Sequence, residues 1–150
     1  MTTLSFSDWD LEAPIAKAID GLGWTGPTEI QVGALPAARR GIDVVGQART
    51  GSGKTAAFAI PIIEHCEPSG SLQALVLCPT RELAVQVAEE IGVLQGDKGL
   101  SIEPVYGGTD IERQAKRLDK GVDVIVGTPG RVIDMSKRGH IGLASISRFC

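Results

Sequence analysis

Short runs rich in Val, Ile and Leu alternate along the chain with longer stretches whose apolar residues recur at helical spacing. The runs cover residues 43–46, 74–78, 102–105, 122–126 and 146–150. Continuous apolar runs this short suit strands buried on both faces of a sheet. The amphipathic stretches predict helices over 29–40, 54–64, 81–94, 110–119 and 132–138. A further short helix is expected over 13–20, opened by Pro14 and closed at Gly21. Strands alternating with helices argue for βαβ units and an α/β fold with a parallel, doubly wound sheet flanked by helices. The last run ends the chain on a buried strand, before the loop where such sheets usually carry function. The domain is therefore expected to be incomplete at its C-terminus.

Composition narrows the class. The 150 residues are 43% hydrophobic with a net charge of −3, which fits a globular domain with a real core. The longest apolar stretch, 56–63, contains Pro61 and is far shorter than the ~20 residues that span a bilayer. Residues 1–10 have no basic segment and carry Asp8 and Asp10, so a secretory signal is not expected. Cys66, Cys78 and Cys150 are well separated and form no CxxC pair, as in a reduced intracellular protein. A cytoplasmic location without a membrane partner is expected.

Charge is unevenly spread. Residues 1–100 hold 7 basic and 12 acidic side chains, whereas residues 101–150 hold 8 and 6. A bulk electrostatic nucleic-acid binder is disfavoured, although the C-terminal third carries a modest basic excess.

One segment carries clear chemistry. The run 43–46 leads into Gln47, Ala48, Arg49, Thr50, Gly51, Ser52, Gly53, Lys54 and Thr55, and a helix is expected to begin at once. This is a phosphate-binding loop with Ala48 at the position of the pattern's first glycine. Gly51 and Gly53 let successive N–H groups turn toward one anion, and the helix N-terminus adds partial positive charge. Lys54 has the reach for the outer phosphates, and the Thr55 hydroxyl suits a Mg²⁺ shell.

Four further motifs surround it. Upstream stand Phe6 and then Gly23, Trp24, Thr25, Gly26, Pro27, Thr28, Glu29, Ile30 and Gln31. Downstream stand Pro79, Thr80, Arg81, Glu82, Leu83 and Ala84, then Gly107 and Gly108, then Thr128, Pro129, Gly130 and Arg131. In order and spacing the set resembles the DEAD-box ATP-dependent RNA helicases, over almost the whole chain. The resemblance implies a Q-motif region over 1–41 and part of a first RecA-like ATP-binding domain over 42–150, with the second RecA-like domain absent. It implies ATP or ADP and Mg²⁺ as ligands, held by Phe6, Trp24, Thr28, Gln31 and the loop from Ala48 to Thr55. It further implies RNA-backbone contacts from Pro79, Thr80, Arg81, Gly107, Gly108, Thr128, Pro129, Gly130 and Arg131.

The implied roles have physical sense. A Gln carboxamide offers a donor and an acceptor together, matching adenine N7 and its N6 amino group. Guanine offers two acceptors on that edge, leaving one partner unsatisfied at a cost of ~1–3 kcal/mol. Phe6 or Trp24 suits packing on the base, and the residues do not say which. Backbone amides and helix ends meet phosphates without formal charge, so an acidic chain can bind RNA without reading its sequence.

No Asp-Glu dipeptide occurs in the 150 residues. The family's Asp-Glu-Ala-Asp segment, which completes the Mg²⁺ shell and positions the attacking water, would follow residue 150. Asp123 is no substitute, because it opens its strand instead of closing it. The chain alone is therefore expected neither to hydrolyse ATP usefully nor to unwind RNA, and its uncovered sheet edge is expected to self-associate. A short non-catalytic nucleotide- or RNA-binding module and a related DNA helicase are the alternatives.

Overall fold

A computed structural model describes residues 4–49 and 51–150. Its backbone divides into two compact units, residues 1–65 with 90–98, and residues 66–89 with 99–150.

The first unit is helical. A single 3-10 turn, Phe6–Trp9, precedes α1 (Ala13–Leu22), α2 (Glu29–Arg39) and α3 (Lys54–His65). Helix α1 runs past Gly21 and closes at Gly23, whose φ of 72° is the left-handed conformation that ends helices. Helices α2 and α3 pack together, with Ala34, Leu35, Ala56, Ala59, Ile60 and Ile63 buried. The Lys98 ammonium joins Glu12 Oε1 at 2.8 Å and donates to the carbonyl of Ile63 near the end of α3. There it supplies a cation to carbonyls left without helical partners.

The second unit holds the sheet. Strands β1 (Ala74–Leu77), β2 (Ile102–Val105), β3 (Val124–Gly127) and β4 (Arg148–Phe149) are all parallel, in the order β2-β3-β1-β4. Helices α4 (Arg81–Leu94), α5 (Ile111–Asp119) and α6 (Pro129–Lys137) follow β1, β2 and β3 in turn. Leu75, Val105 and Ile125 on one sheet face pack with Ala115 and Leu118 of α5 and Val132 and Met135 of α6. Ala74, Val76, Val124 and Val126, one step out of phase along the strands, are buried as well. The continuous apolar reading of the two inner strands thus holds.

At the opposite end of the strands, a buried carboxylate ties the loops. Asp123 Oδ1 accepts from the N–H groups of Ser69 and Gly70 at 3.0 and 2.8 Å and from Gln73 Nε2 at 3.2 Å. Its Oδ2 accepts from Ser101 N at 2.8 Å. This explains an acid that is only 2% exposed.

Two strand expectations fail. Residues 43–46 form no strand, and no ladder partner for them exists among the described residues. Val45 is fully exposed, and Ile42 and Val44 are roughly half exposed. A lone segment gains nothing from extended geometry without a neighbour to complete its hydrogen bonds. The last run forms a strand paired with β1 but is an edge and not a buried strand, with Phe149 68% exposed. Helix α6 also begins earlier than its apolar pattern suggested, because Pro129 supplies a preset first helical residue after Thr128. No helix among the described residues is long and apolar enough to cross a membrane.

Candidate nucleotide and nucleic-acid sites

In the first unit, two loops distant in sequence meet at one side chain. Gln31, on the first turn of α2, is only 1% exposed. Its Oε1 accepts from Thr28 N at 3.0 Å, and its Nε2 donates to the carbonyl of Gly53 at 3.2 Å. The same contact explains Gly53. Its φ is +83°, and a Cβ there would lie 2.5 Å from Gln31 Nε2 and 3.0 Å from Thr28 Oγ1. Gly51 also has a positive φ of 79°, so both glycines take the left-handed backbone the loop was expected to need.

Ser52 closes the loop by donating its hydroxyl to the carbonyl of Arg49. Helix α3 starts at Lys54 directly after it. The Lys54 side chain is exposed and makes no ion pair among the described residues, while Thr55 is half-buried on the same turn. Ala48 and Arg49 lie on the approach to the loop; Thr50 lies outside the described residues. The buried Thr28 hydroxyl faces the N–H of Gln31 in the capping box of α2. A loop kept open by positive-φ glycines at the start of α3 fits a phosphate-bearing ligand. No group of three or more His, Cys, Asp or Glu among the described residues is placed to hold a metal ion.

The aromatic residues form a small stack. Phe6 and Trp24 lie 6.0 Å apart with rings tilted by 33°, and Phe6 meets Trp9 edge-on at 5.9 Å. The two candidates for packing on a base therefore contact each other. Arg39, which the sequence did not single out, secures this turn. It donates to both oxygens of Glu64 at 2.8 and 2.9 Å and to the carbonyl of Trp9 at 2.7 Å. Planar two-point pairing of this kind is specific to arginine.

In the second unit, parallel pairing places the C-terminal ends of β1, β2 and β3 on one edge of the sheet. Each end continues into an expected nucleic-acid segment. Pro79, Thr80 and Arg81 follow β1, Gly107 and Gly108 follow β2, and Thr128, Pro129, Gly130 and Arg131 follow β3. Thr80 Oγ1 accepts from Leu83 N at 3.2 Å, capping α4 as its position suggested. Gly108 has a φ of +79°. Gly127, just before Thr128, leaves no room for a side chain, since a Cβ would fall 2.4 Å from Val132 Cγ2.

Two residues outside the motifs complete this edge. The Arg81 guanidinium sits 5.0 Å from the centre of the Tyr106 ring, a cation–π arrangement. Gln114 of α5 is buried. It donates from Nε2 to the Tyr106 carbonyl at 2.9 Å and to Thr109 Oγ1 at 2.8 Å. Its Oε1 accepts from Arg131 Nη1 at 3.1 Å, and Arg131 Nη2 reaches the Thr109 carbonyl at 3.3 Å. A signal for Gln114 stood in the sequence: it falls on the stripe of Ile111, Ala115 and Leu118, where a polar residue needs an internal partner.

Comparison with known proteins matches these features. The sequence model of the family described as DEAD/DEAH box helicase matches residues 28–149. The chain is 45% identical over 146 residues to the DEAD-box ATP-dependent RNA helicase CshA of Bacillus subtilis, covering 97% of this chain and 30% of that protein. It is 46% identical over 144 residues to the RNA helicase CrhR of Synechocystis, covering 96% and 29%. Among solved structures, a DEAD box protein from the hyperthermophile Methanococcus jannaschii superposes with a TM-score of 0.92 at 43% identity, covering 99% of this chain and 41% of that one. The chain thus spans less than half the length of the relatives it matches. By that match and these identities, the chain belongs to the DEAD/DEAH box helicase family.

Proposed function

We propose that this chain forms the ATP-binding part of an ATP-dependent RNA helicase and contributes one half of its RNA track. The observation that carries the reading is the bond from Gln31 to Gly53, which ties a base-reading carboxamide to the phosphate loop. Residues 1–41 serve as the adenine-reading region, and residues 42–150 as part of a first RecA-like domain. Phe6 or Trp24 packs on the base, and Thr28 and Gln31 face it. Ala48, Arg49, Thr50, Gly51, Ser52 and Gly53 wrap the phosphates.

Lys54 neutralises charge on the outer phosphates, and Thr55 contributes one oxygen to a Mg²⁺ shell. Bound MgATP supplies the phosphoryl group and the energy of its transfer. This chain's own residues bind, orient and discriminate. The carboxylates that complete the metal shell and position water belong to an Asp-Glu segment, a dipeptide these 150 residues lack. Hydrolysis therefore belongs to the whole protein.

RNA is met by Pro79, Thr80, Arg81, Gly107, Gly108, Thr128, Pro129, Gly130 and Arg131, through amides, two hydroxyls and two guanidinium groups. Such contacts position a phosphate backbone and read no bases. The relatives named as RNA helicases favour RNA over DNA as the substrate. In isolation, the outer edge of β4 is open to pairing with a second copy.

The test uses the full-length protein. ATP hydrolysis is expected to rise with added RNA, to respond little to DNA of the same sequence, and to vanish in Lys54→Ala. Equal stimulation by DNA overturns the choice of RNA, and hydrolysis that survives Lys54→Ala overturns the phosphate site.

A further inference from the structure

Within the sheet-bearing unit, the segments that follow β2 and β3 are joined by one buried carboxamide. Gln114 is 7% exposed and uses both ends of its side chain. Its amide donates to the Tyr106 carbonyl and the Thr109 hydroxyl, the residues that flank Gly107 and Gly108. Its oxygen holds Arg131 by Nη1, while Nη2 of the same guanidinium is fixed on the Thr109 carbonyl. Tyr106 in turn carries Arg81 on its ring, and a Cβ added at Gly108 would lie 3.5 Å from Arg81 Nη1.

We propose that Gln114 is a positioning residue for RNA, locking the Gly107-Gly108 loop and Arg131 into a single preassembled phosphate cradle. The proposal rests on the RNA reading above and adds the residue that organises the track. The physical reason is preorganisation. A guanidinium on an exposed helix start samples many rotamers, and fixing it on binding costs affinity. Gln114 fixes it beforehand through its own bond to Nη1, while the Thr109 carbonyl, on the loop whose shape Gln114 also sets, accepts from Nη2. Gln suits this place because it donates to two oxygens and accepts from a guanidinium at once. A carboxylate there would face the Tyr106 carbonyl with no proton to offer, and an apolar side chain would leave the loop and Arg131 unheld.

The experiment is a double-substitution cycle in the full-length protein, with RNA affinity, the KM for ATP and the melting temperature as readouts. Gln114→Met keeps the side chain's length and removes its three hydrogen bonds. It is expected to weaken RNA binding about tenfold, the scale of one lost charge-assisted hydrogen bond, with KM for ATP unchanged. In an Arg131→Met background the same change is expected to add almost nothing, because the two act as one unit. Fully additive losses, or a fall in melting temperature without loss of RNA affinity, overturn the proposal and leave Gln114 a structural residue.

Thr109→Val, on the exposed loop, removes the hydroxyl's link to Gln114 together with its longer bond to the Tyr106 carbonyl, and guards against a Gln114 variant that fails to fold. A loss of about threefold in RNA affinity supports the proposal, and wild-type affinity counts against it. The underlying reading fails separately. If Arg131→Met itself leaves RNA affinity unchanged, the RNA assignment of this edge is wrong and the proposal falls with it.

Discussion

Gln31 Nε2 and the Gly53 carbonyl meet at 3.2 Å across 22 residues of sequence, so the first turn of α2 and the glycine loop before α3 are one structure. The relationship is tight in both directions. Gly53 cannot gain a side chain without striking Gln31, and Gln31 cannot leave without exposing the loop's inner carbonyl.

The first consequence concerns Gly53→Ala. The substitution places a methyl 2.5 Å from Gln31 Nε2 on a backbone with φ of +83°. Either the loop or the Gln31 turn must shift. Nucleotide affinity is expected to fall at least about thirtyfold, more than the ~1 kcal/mol that a bare glycine-to-alanine strain commonly costs. Equilibrium binding of ADP to the variant, with circular dichroism to confirm folding, checks this.

Asp123→Ala is expected to be among the most destabilising single changes. It strands the N–H groups of Ser69, Gly70 and Ser101 and removes a partner from Gln73. A loss of about 3 kcal/mol follows from removing the one buried acceptor that four donors share. Urea unfolding measures it. A change below about 1 kcal/mol would mean that water replaces the carboxylate readily.

The cysteines report the sheet. Cys150 donates its N–H to the Leu75 carbonyl at 2.9 Å and accepts from Leu77 N at 2.7 Å, which sets it opposite the stretch of β1 that leads to Cys78. Burial pushes both thiols above the ordinary cysteine range, and for Cys150 the neighbouring Cys78 adds to the effect. Alkylation of the native chain is therefore expected to be slow at about pH 8 and to rise with pH at Cys150. Cys66 and Cys78 are buried and should resist until unfolding. Thiols that ionise later in the folded state than in the unfolded one favour unfolding as pH rises. Stability is thus full below the ordinary thiol pKa and declines through the raised values. Urea midpoints at neutral and alkaline pH, with mass spectrometry of the labelled sites, test both statements.

The sequence was most legible where local signals agreed. Helix α4 runs over the expected Arg81–Leu94, because Thr80 caps it and its apolar residues keep strict helical spacing. The conformation of Gly51 and Gly53 was equally clear, since both take the positive φ that a tight glycine turn requires. The run 43–46 misled because apolar content signals burial and says nothing of whether a neighbour exists to pair with. What Gln114 and Arg39 hold together was not legible for a related reason. Their importance lies in partners far along the chain, at Tyr106 and Arg131 for one and at Trp9 and Glu64 for the other. Only the folded arrangement brings those atoms together.

The central claim is that Gln31 reads adenine for the loop that ends at Gly53, Lys54 and Thr55. Its most direct test is a titration of Mg-ADP and Mg-GDP followed by tryptophan fluorescence, in the wild-type chain and in Gln31→Ala. Trp24 touches Phe6 beside the proposed base site and, with Trp9, is one of the two tryptophans in the sequence. The expected result is a saturable response to ADP, tighter than to GDP by roughly 5- to 150-fold, the worth of one unsatisfied partner. In Gln31→Ala that preference should disappear. Equal affinity for the two nucleotides in the wild type, or a preference for ADP that survives Gln31→Ala, would contradict the claim.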